Sequence, residues 1–176
     1  MVSQTPDEST GRLSTLEFFQ EMYPDLGGHF LEIRRLPGSI QNFCGNVEQA
    51  ASIAASEKKR NVYFGPVLRS EAKGDEEHSR LLFALWVDLD VVKDFQGDWD
   101  RAGRIVADFE HRPSCVIHTG NGWHLYWFLS GPELIEPEDR LRVRGLLNGV
   151  SEALGGDNTS DLPRVMRTPS RRIPGQ

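Results

Sequence analysis

The order of apolar and polar residues is most regular in the second half of the chain. There it predicts an apolar strand at residues 81–92 and a helix at residues 98–109. Two strands joined by a tight turn follow at residues 114–119 and 123–129, then a second helix at residues 137–154 and a last short strand at residues 164–167. Asp98 or Asp100 lies near the start of the first helix, and Gly155-Gly156 ends the second. This β-α-β-β-α-β order is that of the ferredoxin-like split unit, also used by RNA-recognition folds. We therefore predict an α+β fold whose core has four antiparallel strands with two helices on one face.

The first 80 residues are predicted to form an N-terminal α/β layer leading into this core. Helices are indicated at residues 14–22 and 46–58, and a strand at residues 30–36. A short β-rich run follows at residues 61–68 and a polar loop at residues 70–80. Ser14 or Thr15 is the expected cap of the first helix. Residues 1–12 are polar and are expected to be a disordered lead. Residues 13–176 are then one domain, with the RNA-recognition-like core at residues 80–176.

Composition narrows the class of protein. Apolar residues make up 38% and charged residues 26% of the chain, as in globular proteins. No apolar run approaches the roughly 18 residues that span a bilayer, which favours a cytoplasmic protein without membrane contact. Cys44 and Cys115 are far apart and belong to no Cys/His cluster. We therefore expect neither a disulfide framework nor a zinc site.

The charge is unevenly distributed along the chain. The net charge of −6 argues against a protein that coats nucleic acid, but not against an enzyme with one local groove for it. Residues 81–138 contain 10 Asp and Glu against 4 Lys and Arg, whereas residues 139–176 contain 4 against 7. An acidic centre followed by an arginine-rich end suits metal ions and a polyphosphate in one site. Surface charge that clusters without function is the alternative interpretation.

Two carboxylates end the apolar strand. Asp88 and Asp90 are separated by one residue, so in a strand both point to the same face, roughly 7 Å apart along the backbone. That spacing lets both reach a pair of divalent ions about 3.5–4 Å apart. By itself an Asp-x-Asp pair is a weak signal, because glycosyltransferases, phosphatases and topoisomerase-type domains share it, and both side chains can simply face solvent.

The tight turn between the two middle strands carries polar groups suited to phosphate. Thr119, Asn121 and the backbone around Gly122 offer hydrogen-bond donors, and His124 opens the following strand. Asn-Gly is also the strongest short hairpin signal, so we expect a hairpin whose tip is used in a site. His118 is an alternative histidine, although alternation places Thr119 on the face of the site.

The third element follows the second helix. Asp157 is a candidate third carboxylate, and Asp161 is its competitor. Arg164 and Arg167 supply positive charge in a form that suits bidentate phosphate contacts. The alternative is a surface loop in which Asp161 pairs with Arg164, a contact worth little energy.

These three elements, in this order, resemble the archaeo-eukaryotic primase superfamily, and in particular its bacterial, phage and plasmid primase-polymerases. The family has an Asp-x-Asp or Asp-x-Glu after an apolar strand, a Ser/Thr-rich hairpin ending in histidine, and an aspartate shortly before an Arg-x-x-Arg strand. The matching positions are Val87-Asp88-Leu89-Asp90, Thr119-Gly120-Asn121-Gly122-Trp123-His124, and Asp157 with Arg164-Val165-Met166-Arg167. The run Asn61-Val62-Tyr63-Phe64-Gly65 is also similar. The similarity covers most of the chain from about residue 15.

The resemblance implies a nucleotidyltransferase that extends a 3′-hydroxyl with (d)NTPs on a DNA template, in replication or repair. It implies two Mg²⁺ or Mn²⁺ ions held by Asp88, Asp90 and Asp157. It also implies a triphosphate site in which His124, Thr119 and Arg167 act with Arg164 nearby; Asn121 and Gly122 are our additions from the hairpin. The metal ions stabilise the attacking and leaving oxygens, so a separate protein base is not required.

The end of the chain departs from the family. Relatives usually have Arg-Leu-Pro-Gly-Thr followed by Asn and Lys, where this chain has Arg167-Thr168-Pro169-Ser170-Arg171-Arg172, and Arg171 or Arg172 is the candidate replacement for the lysine. The chain stops at Gln176, so we expect a fragment of a longer protein that includes a helicase or accessory module.

Other functions are less well supported by the residues. A non-catalytic nucleic-acid-binding initiator module with the same fold does not need the full set of carboxylates and His124. A metal-dependent glycosyltransferase needs a glycine-rich strand-to-helix turn before the Asp-x-Asp pair, and the sequence has none there. A histidine-based nicking initiator needs a second histidine after His124, but Leu125-Tyr126 follows.

Overall fold

The computed structural model describes residues 13–169, an α+β arrangement of two four-stranded antiparallel sheets and five α-helices. The helices are α1 (Thr15–Met22), α2 (Val47–Ser56), α3 (Val91–Asp94), α4 (Trp99–Asp108) and α5 (Arg140–Leu154), the last preceded by a 3₁₀ turn (Pro137–Asp139). The strands are β1 (Leu31–Leu36), β2 (Ile40–Cys44), β3 (Asn61–Phe64), β4 (Val67–Arg69), β5 (Ser79–Leu89), β6 (Cys115–His118), β7 (Trp123–Leu134) and β8 (Met166–Arg167). The expected lead at residues 1–12 and the candidate replacements Arg171 and Arg172 lie outside the described residues.

Side-chain caps set the starts of three helices. Ser14 and Glu17 form a capping box at α1, in which the backbone N–H of Ser14 donates to Glu17 Oε2 at 2.7 Å. Asn46 caps α2 and Asp98 caps α4, each by accepting a backbone N–H three residues later. Gly155 ends α5 in the left-handed conformation, with a φ of 70°. These boundaries confirm the predicted helices to within a few residues.

The first sheet has the strand order β4-β5-β7-β6. On one face Val87, Leu89 and Leu125 pack in a cluster with Ala102 of α4 and Leu154 of α5. Alternation turns Trp86 and Tyr126 to the other face. There the Tyr126 ring contacts Phe18 of α1, with ring centroids 5.3 Å apart, and Phe64 of β3. Asp88, two residues after Trp86, and His124, two residues before Tyr126, therefore point toward the second sheet.

The second sheet has the order β2-β1-β3-β8, and it corrects the predicted place of the last strand. We expected residues 164–167 to complete the sheet of β5, β6 and β7. Only Met166–Arg167 is a strand, and it pairs with β3, Arg167 opposite Tyr63. The reason is that β4, whose residues are all fully buried, already pairs with the free edge of β5. Strands β5, β6 and β7 do follow one another along the chain as predicted, with α4 between β5 and β6 and α5 after β7.

The β-rich run at residues 61–68 is two strands rather than one. β3 belongs to the second sheet and β4 to the first, because Gly65-Pro66 separates them and proline has no N–H to donate to a ladder. Strand β2 and the short helix α3 were not predicted. The sequence of β2 shows no clear alternation, since it is an edge strand with Gln41 and Asn42 at its centre.

A buried ion pair ties the two sheets together. Arg69 of β4 donates to Glu32 Oε2 of β1 at 3.0 Å, and both side chains are fully buried. Burial lowers the pKa of Arg69, and the Glu32 carboxylate opposes that shift. Arg69 also donates to the hydroxyl of Ser79 and to the Leu162 carbonyl. Because a broken buried pair leaves a lone buried charge, this contact fixes the sheets relative to each other.

Across residues 13–169 the structure contains no helix with the length and apolar character needed to cross a membrane.

Candidate functional site

A cleft of about 250 Å³ lies where the ends of β5 and the β6–β7 hairpin meet β3 and β8. Its lining residues come from both sheets: Tyr63, Asp88, Asp90, Thr119, Asn121, His124, Val165, Met166 and Arg167. Six of the nine predicted site residues are among them: Asp88, Asp90, Thr119, Asn121, His124 and Arg167. The remaining three, Asp157, Gly122 and Arg164, lie beside the cleft without lining it.

Asp88 lies two residues beyond Trp86 on β5 and therefore points toward the second sheet. It is directly opposite His124 of β7 in the strand register, and its side chain is 38% exposed. Partial burial raises the pKa of Asp88, the nearby carboxylates of Asp157 and Asp90 raise it further, and Arg164 opposes the shift. The charged form of Asp88 is thus destabilised by its surroundings.

Asp90 reaches the cleft in a different way from the one predicted. We expected a strand residue on the same face as Asp88. Strand β5 instead ends at Leu89, and Asp90 is the N-cap of α3, with its carboxylate accepting the Lys93 N–H at 3.0 Å. Both acids nevertheless line one cleft.

Asp157 lies next to Asp88, whereas the competing Asp161 is engaged elsewhere. The backbone N–H of Asp157 donates to the Asp88 carbonyl at 3.1 Å. Its carboxylate accepts from Lys93 Nζ at 2.6 Å. Asp161 instead pairs with Arg164 Nε at 3.3 Å. The structure therefore brings Asp157, and not Asp161, to the aspartates of the cleft.

Gly156 makes this approach of Asp157 possible. A Cβ at Gly156 would lie 2.7 Å from Val87 Cγ1 and 3.0 Å from the Asp88 carbonyl oxygen. Only a residue without a side chain lets the turn after α5 lie against β5. From the sequence, Gly155-Gly156 was predicted only as a helix end, because its packing role has no signal beyond the doubled glycine.

The donor set of the cleft suits a divalent cation in part. Within residues 13–169, no three His, Cys, Asp or Glu side chains are arranged to hold a metal ion. Asp88 and Asp90 offer carboxylate oxygens, which Mg²⁺ and Mn²⁺ prefer, and their mutual repulsion is the kind that a cation relieves. The third carboxylate, Asp157, is held by the ammonium group of Lys93. The oxygen ligands of Asp88 and Asp90 are thus suited to a divalent cation. A site with three carboxylates requires Asp157 to release Lys93 and bind the cation instead.

The tip of the β6–β7 hairpin is packed onto the segment that carries Asp90. The Thr119 N–H donates to the Gly122 carbonyl, and the Val92 N–H donates to the Asn121 carbonyl, both at 3.0 Å. A Cβ at Gly122 would lie 1.8 Å from the Leu89 carbonyl oxygen. Gly122 was predicted to contact a triphosphate; the structure instead buries it against the backbone of β5, while Thr119 and Asn121 face the cleft.

The two histidines of the hairpin lie on opposite faces of the sheet, as alternation predicted. His118 is exposed and accepts a hydrogen bond from Trp123 Nε1 at 3.0 Å. His124 lines the cleft, and only 7% of its side chain is exposed. Its Nε2 is 3.6 Å from Asp88 Oδ1, and its Nδ1 is buried without a hydrogen-bond partner among the described residues. A buried imidazole with an unused nitrogen has hydrogen-bonding capacity left for a ligand.

Burial, together with the nearby positive charges of Arg167 and Arg164, lowers the pKa of His124 to about 4. His124 is therefore neutral near pH 7 and carries one N–H donor.

The low pKa of His124 predicts a pH dependence of stability in the absence of metal ions. An unfolded histidine takes up a proton below its pKa of about 6.5, whereas the folded one does so only near 4. The contribution to stability is complete above pH 6.5 and is lost as the pH falls to 4, on the order of 3 kcal/mol in total. We expect the free energy of unfolding, measured in urea, to depend less steeply on pH between 6.5 and 4 in His124→Gln than in wild type. His118→Gln is the control and should show the pH dependence of wild type. The same pH dependence in His124→Gln as in wild type would contradict the lowered pKa of His124.

Arg167 of β8 and Tyr63 of β3 lie opposite each other in the strand register and line the same cleft as the aspartates. The guanidinium of Arg167 lies over the Tyr63 ring, 5.8 Å from its centroid. Arg164 does not line the cleft, and its Nη2 donates to the Asn158 carbonyl at 3.3 Å. Tyr63 received no role from the sequence, because its place in the cleft follows from the pairing of β3 with β8, which alternation within one strand does not reveal.

Comparison of the chain with protein-family models, with curated proteins and with solved structures gave no match.

Proposed function

We propose that this chain is the catalytic domain of a template-directed DNA primase-polymerase of the archaeo-eukaryotic primase superfamily. The observation that carries the proposal is the composition of the cleft. Two sets of residues line it together: the carboxylates Asp88 and Asp90, and Thr119, His124 and Arg167, whose side chains can donate to phosphate oxygens. A nucleotidyltransferase needs both sets in one place, because metal ions and a triphosphate meet at the reacting phosphorus.

The order of elements is consistent with this proposal. In this proposal β5, β7 and β6, with α4 and α5 against one face, correspond to three strands and the two helices of a ferredoxin-like split unit, and β4 takes the place of the fourth strand. The opposite face packs against α1 and β3, and the cleft lies at the end of that face, beside β3 and β8. We propose that residues 80–169 correspond to the RNA-recognition-like core of the primase catalytic fold and that β1–β3 with α1 and α2 form its N-terminal layer.

Two Mg²⁺ or Mn²⁺ ions, when bound, would stabilise the attacking 3′-hydroxyl oxygen and the leaving pyrophosphate oxygen. In this proposal Asp88, Asp90 and Asp157 hold the ions. Lys93 keeps Asp157 neutralised and next to Asp88 until then. The partial burial of Asp88 strengthens its attraction to a cation, since the charge is poorly solvated.

The other residues hold the nucleotide. Neutral His124 donates one N–H to a phosphate oxygen, and Thr119 adds a hydroxyl donor. Arg167 contributes a charged, planar donor pair, which suits bidentate contact with phosphate. The Tyr63 ring lies under the Arg167 guanidinium and restricts its movement. The substrates are (d)NTPs and a DNA template with a primer, and the setting is replication or repair.

The test is extension of a labelled primer with dNTPs or NTPs in Mn²⁺ or Mg²⁺, together with a template that lacks a primer. We expect Asp157→Ala to reduce extension by at least about a hundredfold, because it removes one ligand of the metal site. Asp161→Ala is the matched control and should extend as wild type does, since its carboxylate pairs with Arg164 away from the cleft aspartates. The reverse result would move the third carboxylate to Asp161. No extension by wild type under any of these conditions would refute the function and favour a non-catalytic nucleic-acid-binding module.

A further inference from the structure

A turn with three consecutive cations precedes β3, the strand that enters the cleft. Lys58, Lys59 and Arg60 are all exposed, and we call them the basic turn. Strand β3 begins at Asn61, directly after them, and its third residue, Tyr63, lines the cleft. In a chain with a net charge of −6, this concentration of positive charge is a departure from the rest of the surface.

One acid fixes the backbone of the basic turn. Glu57 accepts hydrogen bonds from the backbone N–H groups of Lys59 at 2.8 Å and Arg60 at 3.2 Å. Its side chain is 7% exposed and also lies 3.4 Å from Arg60 Nη1 and 3.7 Å from Arg35 Nη1. The Lys59 N–H contributes most to lowering the pKa of Glu57. The acid next to the turn is thus engaged in holding its shape.

The two lysines keep their charge available. Lys58 Nζ donates to the Ala55 carbonyl at 2.9 Å, a contact that leaves its charge uncompensated. Within residues 13–169, neither Lys58 nor Lys59 has a carboxylate within ion-pair distance. Like charges held side by side on a fixed turn repel, and a polyanion relieves that repulsion.

The basic turn and the cleft are a short distance apart along β3. Tyr63 is three positions after Arg60, which is about 10 Å at roughly 3.3 Å per residue. Arg167 lies opposite Tyr63 in the register and continues the positive charge into the cleft. Stacked nucleotides rise about 3.4 Å each along one strand, so about three of them cover the distance.

We propose that the basic turn binds the phosphates of a single-stranded nucleic acid whose end reaches the cleft. Charge complementarity selects this occupant, because the phosphate backbone supplies most of the affinity in sequence-independent binding of single strands. The naming of that strand as template or primer rests on the proposed function, whereas the binding itself does not.

The experiment is fluorescence anisotropy with a labelled oligodeoxythymidine of about 20 nucleotides, over a series of salt concentrations. We expect Lys58→Gln/Lys59→Gln/Arg60→Gln to weaken binding at least about tenfold at low salt. The slope of log K against log salt should become less steep by about 2, because each phosphate that the protein neutralises on a single strand contributes about 0.7. The matched control is Arg101→Gln/Arg104→Gln/Arg112→Gln, which removes the same charge from positions in and just after α4, the helix on the other face of the sheet.

Equal weakening in both variants would overturn the proposal, since only net charge would then matter. No binding by wild type would also overturn it. Displacement of the oligonucleotide by polyglutamate at equal charge concentration would point to an acidic protein partner and reject a nucleic acid. Binding through the basic turn without any primer extension would reject the proposed enzyme while supporting this surface.

Discussion

The double substitution Asp88→Asn/Asp90→Asn is expected to reduce the rate of primer extension at least about a thousandfold, which corresponds to ~4 kcal/mol of transition-state stabilisation. Asparagine keeps the size of each side chain and removes both negative charges that face the cleft. Asparagine at position 90 can still accept the Lys93 N–H, so the start of α3 is preserved. The reduced rate would therefore report on charge, and through it on metal binding, rather than on folding.

The same variant should be at least as stable as wild type without metal ions. The surroundings of Asp88 raise its pKa, so its charged form opposes folding near pH 7. Removing that charge, together with the repulsion from Asp90, stabilises the metal-free protein. Mn²⁺ should raise the melting temperature of wild type, by mass action on the folded state, and leave that of the variant unchanged. A variant that keeps either extension or the Mn²⁺ response would exclude these aspartates as metal ligands.

The local parts of the site followed from the sequence because alternation and capping act over a few residues. Thr119 was predicted on the side of the site, and His118 away from it, from the two-residue period of a strand. The cap of α4 by Asp98 is similarly local. Such features depend on the backbone of one element and need no knowledge of what packs against it.

The parts that depend on two elements did not follow. Residues 164–167 have the pattern of a strand, but nothing in them indicates that Met166–Arg167 pairs with β3 rather than with β5. That choice depends on β4 covering the edge of β5, and both of those strands are far from β8 in the sequence. The same pairing brings Tyr63 under Arg167. Tyr63 was therefore not predicted in the cleft for the same reason that β8 was predicted in the wrong sheet.

Asp157 shows both cases in one residue. Its proximity to Asp88 was predicted as part of a three-carboxylate site, and the structure brings its backbone N–H to the Asp88 carbonyl. The ion pair with Lys93 was not predicted, because the two residues are 64 positions apart in the sequence. The sequence therefore indicated which acids assemble, but not the cation that already neutralises one of them.

Gly122→Ala is expected to destabilise the protein by about 3 kcal/mol, which lowers the melting temperature by about 6–12 °C for a chain of this size. The added Cβ would lie 1.8 Å from the Leu89 carbonyl oxygen and 2.8 Å from the Val91 nitrogen. Both atoms belong to backbone, which cannot rotate away as a side chain can. The hairpin tip must therefore move off the segment that carries Asp90, and primer extension should fall with it.

Gly145→Ala and Gly149→Ala are matched controls for the same chemical change. Both glycines lie within α5, and a Cβ at either would meet no heavy atom of a neighbouring element within 4 Å. Alanine favours a helix over glycine by about 1 kcal/mol, so both controls should raise the melting temperature where Gly122→Ala lowers it. Thermal unfolding of the three variants side by side gives the comparison.

The thermal unfolding of Gly122→Ala also decides between two roles for this glycine. A glycine that only lets backbone amides approach a phosphate would, on substitution, reduce extension and raise the KM for dNTPs without a change in melting temperature. A glycine that packs the hairpin onto β5 would, on substitution, lower stability in the absence of any nucleotide. The structure favours packing, since Gly122 is buried and lies outside the cleft lining. Unchanged stability in Gly122→Ala would restore the phosphate-binding role.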